Sequence, residues 1–431
     1  MRLLDVWLHD RLVGTISETR RGGRFAYTQD VCEEMPGVPL LSLSLPVKRR
    51  PYNEGKTASW FEGLLPEGAR REDVSNRLRI SAYDWIGLLA EIGWECAGAV
   101  RIFEHGDTRT HRGSYESVSA DNLAARLSSV PSRQPRANSI SFRMSLGGYQ
   151  DKMCVAMPRL DASRRDINPT GVLIPLGDAP STHILKPEPT SYPGIALSEA
   201  WAMTVASHLA RCSKVGMLRL TDAPPTLVVE RYDRTGNNWP HDVRRVHQED
   251  ACQALGIPSR EKYASERAEK GSDPSYRKIA SLLIRYAEDP RRELEELLRQ
   301  LVTNLVLGNW DAHAKNTSLL YKRPGVPAVS PLYDVVPISE VEPRTNLLSL
   351  RVGGTLDPAA VTREAILAEA GSWGLDGTWC ERVLNDCTDA FEQGLADASE
   401  QYPEAAERHL SSARLRLKAL RDTKGTVPFV S

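Results

Sequence analysis

GNWDAHAKN, residues 308–316, is the stretch on which the fold reading turns. It follows an apolar stripe in which Leu294, Leu297, Leu301, Leu305 and Val306 recur at helical spacing, which predicts a helix over 292–308. Leaving that helix, Asp311 and Asn316 stand five residues apart in a loop. Phosphoryl transfer needs a carboxylate that orients a hydroxyl and takes its proton, with an oxygen ligand for Mg²⁺ close by. An Asp followed at this interval by an Asn supplies both. Lys315, between them, can neutralise charge on a moving phosphoryl group. Alone the pattern is common, because an aspartate and a capping Asn in an ordinary turn read the same way.

Working outward, SPLYDVV at 330–336 places Asp334 after an expected strand, one hairpin beyond Asn316. A hard cation prefers oxygen ligands, so Asp334 and Asn316 form a candidate Mg²⁺ pair. Upstream, THILKPE at 182–188 puts Lys186 inside an apolar strand, where an unpaired ammonium is costly. Glu199, at the start of the next expected helix (197–211), is its natural partner. The loop SLGGYQDK at 145–152 carries Gly147 and Gly148, which let backbone N–H groups approach phosphate oxygens, and Lys152, which adds a point charge. VVERY at 228–232 is an apolar strand whose backbone can bond the edge of adenine.

Each piece has a plain structural alternative: a hairpin glycine pair, a snorkelling lysine, a glutamate on a helix dipole. Their order is more specific. Glycine loop, strand lysine, helix glutamate, hinge, Asp-x-x-x-x-Asn and strand-borne Asp follow one another as the parts of a protein kinase do. The expected fold is α+β and two-lobed. Residues 1–105 form a β-rich N-terminal subdomain, 106–235 the nucleotide-binding small lobe, and 236–431 a helical catalytic lobe. Within the first part, Leu41, Leu43 and Leu45 alternate with serines over 38–47, which predicts a half-buried strand.

Composition narrows the class. The 431 residues exceed what one hydrophobic core usually serves. Fifty-five Lys+Arg against 56 Asp+Glu leave a net charge of −1, with no global pull toward nucleic acid or an anionic membrane. Seven scattered cysteines without a Cys-x-x-Cys pair suggest neither a disulfide framework nor a zinc site. No export signal or membrane span is legible, which points to a cytoplasmic protein.

At these motifs the sequence resembles the HipA-type toxin kinases of bacterial type II toxin–antitoxin modules. SLGGYQDK, THILKPE, VVERYDR, VHQEDACQALGI with Lys262-Tyr263, GNWDAHAKN and SPLYDVV each look like a motif of that family, as do LSLPV at 43–47 and FEGLLPEG at 61–68. Tyr149 is bulkier than the small residue common there. The resemblance implies a serine/threonine kinase using ATP and Mg²⁺. Asp311 is then the catalytic base, Asn316 and Asp334 hold the metal, and Lys186 binds phosphates. Glu230 and Tyr232 contact adenine through their backbones, and His313 braces the catalytic loop. Ser145 matches the serine that such kinases phosphorylate on themselves. It also implies a helix-turn-helix antitoxin as partner, operator DNA bound through that complex, and an aminoacyl-tRNA synthetase as target. The alternatives are a small-molecule phosphotransferase built on the same ATP site, and a co-repressor module whose role is assembly.

Overall fold

The long helix spans Pro290–Leu307, and its ends show why it starts and stops there. Asp289 caps it, accepting from the Arg292 backbone N–H at 3.1 Å, and Pro290 occupies the first turn, where no N–H is needed. Gly308 ends it in the left-handed region, with φ of 71°. The loop bearing Asp311 therefore leaves the helix at a fixed point. Leu297, Leu298, Leu301, Val302 and Val306 are buried, each contributing roughly 2 kcal/mol of apolar burial. The structure is a computed structural model, and it describes residues 1–107, 113–129, 152–161, 164–265, 273–341, 347–424 and 429.

Three cores organise the chain. The first joins an antiparallel sheet, in the order Gly22–Tyr27, Arg11–Thr19, Leu3–Leu8 and Val100–Glu104, to the helices Glu54–Phe61, Gly68–Leu78 and Trp85–Ile92. Phe25, Trp60 and Phe61 fill it. The second underlies a four-stranded antiparallel sheet, ordered Met153–Val155, His183–Pro187, Thr226–Glu230 and Val215–Leu218. There Leu185 and Val228 pair and point into the core with Leu123 and Ile174. Side chains alternate across a strand, so Lys186 faces the other way. The third core is helical and includes Pro290–Leu307, Gly377–Gln401 and Pro403–Arg421.

One expectation needs correction, and one strand goes beyond what was expected. Residues 38–47 form turns, not a strand. Ser42 accepts the Ser44 backbone N–H at 3.0 Å through its hydroxyl, and the Ser42 carbonyl accepts from Leu45 N at 3.1 Å. These local bonds compete with a strand ladder. The alternation is real but serves two cores, Leu41 and Leu45 in the first and Leu43 in the third. The catalytic lobe also holds a three-stranded antiparallel sheet, His247–Asp250, Ser318–Arg323 and Val326–Val329. Its last two strands are the hairpin between Asn316 and Asp334. All seven cysteines are free thiols, and among the described residues no helix is long and apolar enough to cross a membrane.

Candidate active site

A cleft of about 900 Å³ lies where the small sheet meets the helical lobe. Lys186, Asp311, Asn316 and Asp334 all line it, together with Lys152, Glu230 and Tyr232.

The strand register sends Lys186 into this cleft, and its ammonium bonds Glu199 Oε1 at 2.7 Å and Asp334 Oδ1 at 2.6 Å. Glu199 sits on the helix Ile195–Ala206 and is almost wholly buried. Burial raises its carboxyl pKa against the pull of Lys186. Burial also acts upward on Asp334, but there Lys186 prevails and holds the carboxyl down to about 2. The ammonium itself is desolvated, yet the two carboxylates keep it charged well above the usual lysine range.

Asp334 has φ of 59°, a left-handed conformation that aspartate tolerates better than most residues. Two contacts hold it. Asn309, just past the long helix, donates to the Asp334 carbonyl at 3.3 Å. Leu332 exchanges backbone bonds with Arg211 and Ser213 at 2.6 and 3.0 Å, tying the segment to the foot of the small lobe.

Asp311 lies in the loop between the long helix and the hairpin. Its carbonyl accepts from His313 N at 2.7 Å and from the Asn316 side-chain amide at 3.1 Å. That second bond uses the nitrogen of Asn316, so its oxygen is the atom that could face a cation. Burial raises the Asp311 carboxyl pKa, and the charge on Asp334 adds to this, while a bond from Tyr263 opposes it. Burial, with Lys262 nearby, pushes His313 down to about 3 and keeps it neutral. Its ring packs edge-on against Tyr263, with centroids 5.1 Å apart.

The other expected residues are placed as follows. The Lys152 carbonyl accepts from Arg70 at 3.0 Å, and burial, then Arg70 and Lys186, lower its ammonium pKa to about 7. The Glu230 carboxylate is occupied by Arg159 at 2.9 Å and Leu160 N at 2.8 Å, and its N–H donates to the Lys214 carbonyl at 2.8 Å, so its backbone carbonyl is the part that could serve a ligand. Tyr232 bonds Gln248 through its hydroxyl and stacks on Tyr333 at 5.4 Å. Ser145, Gly147 and Gly148 lie outside the described residues.

Lys315 is not the loose counter-charge expected from the loop sequence. It is buried, and its ammonium bonds the Gly63 carbonyl at 2.9 Å, Glu67 at 3.1 Å and Asp250 at 3.3 Å. Glu67 also takes Lys262 at 2.7 Å. Burial would raise Glu67, but the two lysines hold it near 2. The N-terminal subdomain thus grips the catalytic loop. Glu95 makes a second grip, accepting from Arg231 at 3.1 Å, Arg234 at 2.9 Å and Arg245 at 2.6 Å. Neither grip was derivable from the spacing of residues, because each partner lies far away in the chain.

Among the described residues no cluster of three or more His, Cys, Asp or Glu is arranged to hold a metal. The donors at hand are one carboxylate, Asp334, and one amide oxygen, Asn316, near the carboxylate of Asp311. Such a sparse hard-oxygen set fits Mg²⁺, which takes its remaining ligands from phosphates and water.

Comparison with known proteins agrees with this geometry. Residues 144–395 match the model of the HipA-like C-terminal domain, and residues 4–103 match that of the HipA N-terminal domain. The Sinorhizobium fredii protein named "Putative kinase Y4mE" is 30% identical, over 96% of this chain and 95% of its own. The serine/threonine-protein kinase toxin HipA of Shewanella oneidensis is 25% identical, over 95% of this chain and 92% of its own. A chain of the solved complex of Shewanella oneidensis HipA, HipB and operator DNA superposes with a TM-score of 0.76 at 21% identity. It covers 98% of this chain and 99% of its own, so the two share the α+β, two-lobed kinase-like fold. By these matches and by its cleft, the chain belongs to the HipA family of kinases.

Proposed function

We propose that the protein is an ATP- and Mg²⁺-dependent serine/threonine protein kinase that acts as the toxin of a HipBA-like module. One observation carries the reading. The Lys186 ammonium lies between Glu199 and Asp334, in the cleft that Asp311 and Asn316 also line. Five groups from four separate segments converge where phosphoryl transfer needs them.

Lys186 binds the α- and β-phosphates, and Glu199 keeps its ammonium aimed. The backbones of Glu230 and Tyr232 hold adenine. Asn316 and Asp334 hold Mg²⁺, which when bound neutralises charge on the phosphates. Asp311 takes the proton of the acceptor hydroxyl as its oxygen bonds to the γ-phosphorus; the bond from that phosphorus to the β–γ bridging oxygen breaks, and ADP leaves. The raised pKa of Asp311 suits a base that must accept a proton. Ser145 is one acceptor in this reading. A phosphoserine there carries roughly −1.5 to −2 charges and repels nucleotide phosphates, which limits the kinase's own activity.

The relative solved with HipB and operator DNA supports a helix-turn-helix antitoxin as partner here, with operator DNA bound through it. The external target in this reading is an aminoacyl-tRNA synthetase. Phosphoproteomics of cells expressing the wild type and Asp311→Ala tests the whole. The reading expects phosphorylated Ser145 and a phosphorylated synthetase in the first cells only. Identical phosphoproteomes would refute it, and growth arrest by Asp311→Ala would favour a co-repressor instead.

A further inference from the structure

Tyr263 is 44% exposed, yet its placement is fixed. The short strap Lys262–Ala264 is tied to both ends of the catalytic loop. The Lys262 carbonyl accepts from Ala314 N at 3.1 Å, and Ala264 N donates to the Ser349 carbonyl at 2.8 Å. Ser349 in turn donates to the Trp310 carbonyl from its backbone at 2.9 Å and from its hydroxyl at 2.8 Å. Lys262 is anchored on Glu67 at 2.7 Å. Held this way, the Tyr263 hydroxyl donates to Asp311 Oδ1 at 3.0 Å, while its ring lies edge-on to His313.

A carboxylate in a partly open cleft turns about its last torsion, a broad two-fold well, unless something fixes it. Here the phenol claims Oδ1, and the Ser349 hydroxyl also lies beside the carboxylate, so its orientation is set before an acceptor hydroxyl arrives. We infer that Tyr263 is the positioning residue for the catalytic base: its hydroxyl fixes the Asp311 carboxylate so that Oδ2 meets the incoming substrate hydroxyl. This rests on the kinase reading above and adds to it a residue to which that reading gave no role. Its exposed ring also forms part of the cleft wall beside Asp311, where the acceptor segment must lie.

Tyr263→Phe keeps the ring against His313 and removes only the donor. One hydrogen bond to a charged group predicts a fall in kcat of about tenfold, well short of the loss in Asp311→Ala, with the KM for ATP within about twofold of wild type. The crystal structure of Tyr263→Phe should show the Asp311 carboxylate turned from its wild-type orientation. A kcat within twofold of wild type, a loss confined to the KM for ATP, or an unmoved Asp311 carboxylate overturns the inference and leaves the kinase reading standing. A wild-type protein that transfers no phosphoryl group overturns both.

Discussion

Lys186 and Asp334, 148 residues apart in the chain, meet at 2.6 Å between Nζ and Oδ1. The contact joins a small-lobe strand to the segment that follows the catalytic hairpin, so the cleft is closed by one ion pair reaching across it. Glu199 makes the pair a triad, with two carboxylates on one ammonium. Removing a buried ammonium so placed leaves charge behind.

Lys186→Met should abolish phosphoryl transfer and also weaken the fold. Glu199 is buried and loses its counter-charge, whereas the Asp334 side chain is 40% exposed and water screens its share. A loss of about 2 kcal/mol at pH 8 is expected. The loss should shrink at pH 5, because a carboxylate without its cation takes up a proton more readily. Urea denaturation at the two pH values checks this, and an equal loss at both would contradict it.

Lys315→Met strands the buried Asp250 and leaves Glu67 with Lys262 as its cation, and should lower stability by about 3 kcal/mol. The double variant Lys315→Met/Asp250→Asn should recover part of that, since the stranded charge is gone and the amide oxygen can still cap Gln253 N. Thermal unfolding of the three proteins decides it. Equal losses in the single and double variants would show that Asp250 is not the partner that matters.

Glu95 is wholly buried and is the shared acceptor of three arginines. Burial opposes its charge, but the guanidiniums hold its carboxyl far below the ordinary range. Glu95→Gln keeps the shape and deletes the charge, leaving Asp233 as the carboxylate beside Arg231 and Arg234. A cost of about 3 kcal/mol is expected, read from the urea midpoint. A midpoint like that of the wild type would contradict the grip assigned to this cluster.

Glu249 sets a pH dependence. It accepts from Trp60 Nε1 and Leu43 N, each at 2.9 Å, and from the Tyr321 hydroxyl at 2.5 Å. No cation is among these partners, and burial raises its pKa from 4.5 to about 7. A carboxyl raised on folding contributes stability that is fully present below the unfolded pKa and is lost as pH rises through the folded one. About 3 kcal/mol should therefore disappear between roughly pH 4.5 and pH 7. Urea midpoints across that range should fall in the wild type, and the slope should flatten in Glu249→Gln. A slope equal in both would assign the effect elsewhere.

The candidate site was legible because its residues are written locally. Asp311 and Asn316 share one loop, Gly308 marks where that loop begins, and Lys186 stands out as a charge inside an apolar strand. What holds these groups is written at long range. Nothing near Lys315 tells that the Gly63 carbonyl, 252 residues upstream, accepts a hydrogen bond from its ammonium. The strand His247–Asp250 was missed because its four residues are all polar or charged, and all are buried by contacts that come only with the tertiary fold. The turns at 38–47 misled for the opposite reason: an alternation of leucine and serine fits a strand, and it fits equally a turn that splits its leucines between two cores.

The most direct test is to incubate the purified protein with ATP labelled at the γ-phosphate and Mg²⁺, and to follow the label in the wild type, Asp311→Ala and Asp334→Asn. Label on protein from the wild type, and at least 100-fold less from either variant, is the predicted result. Undiminished labelling by the variants, or label that never reaches protein, would contradict the claim that these side chains form a protein-kinase site.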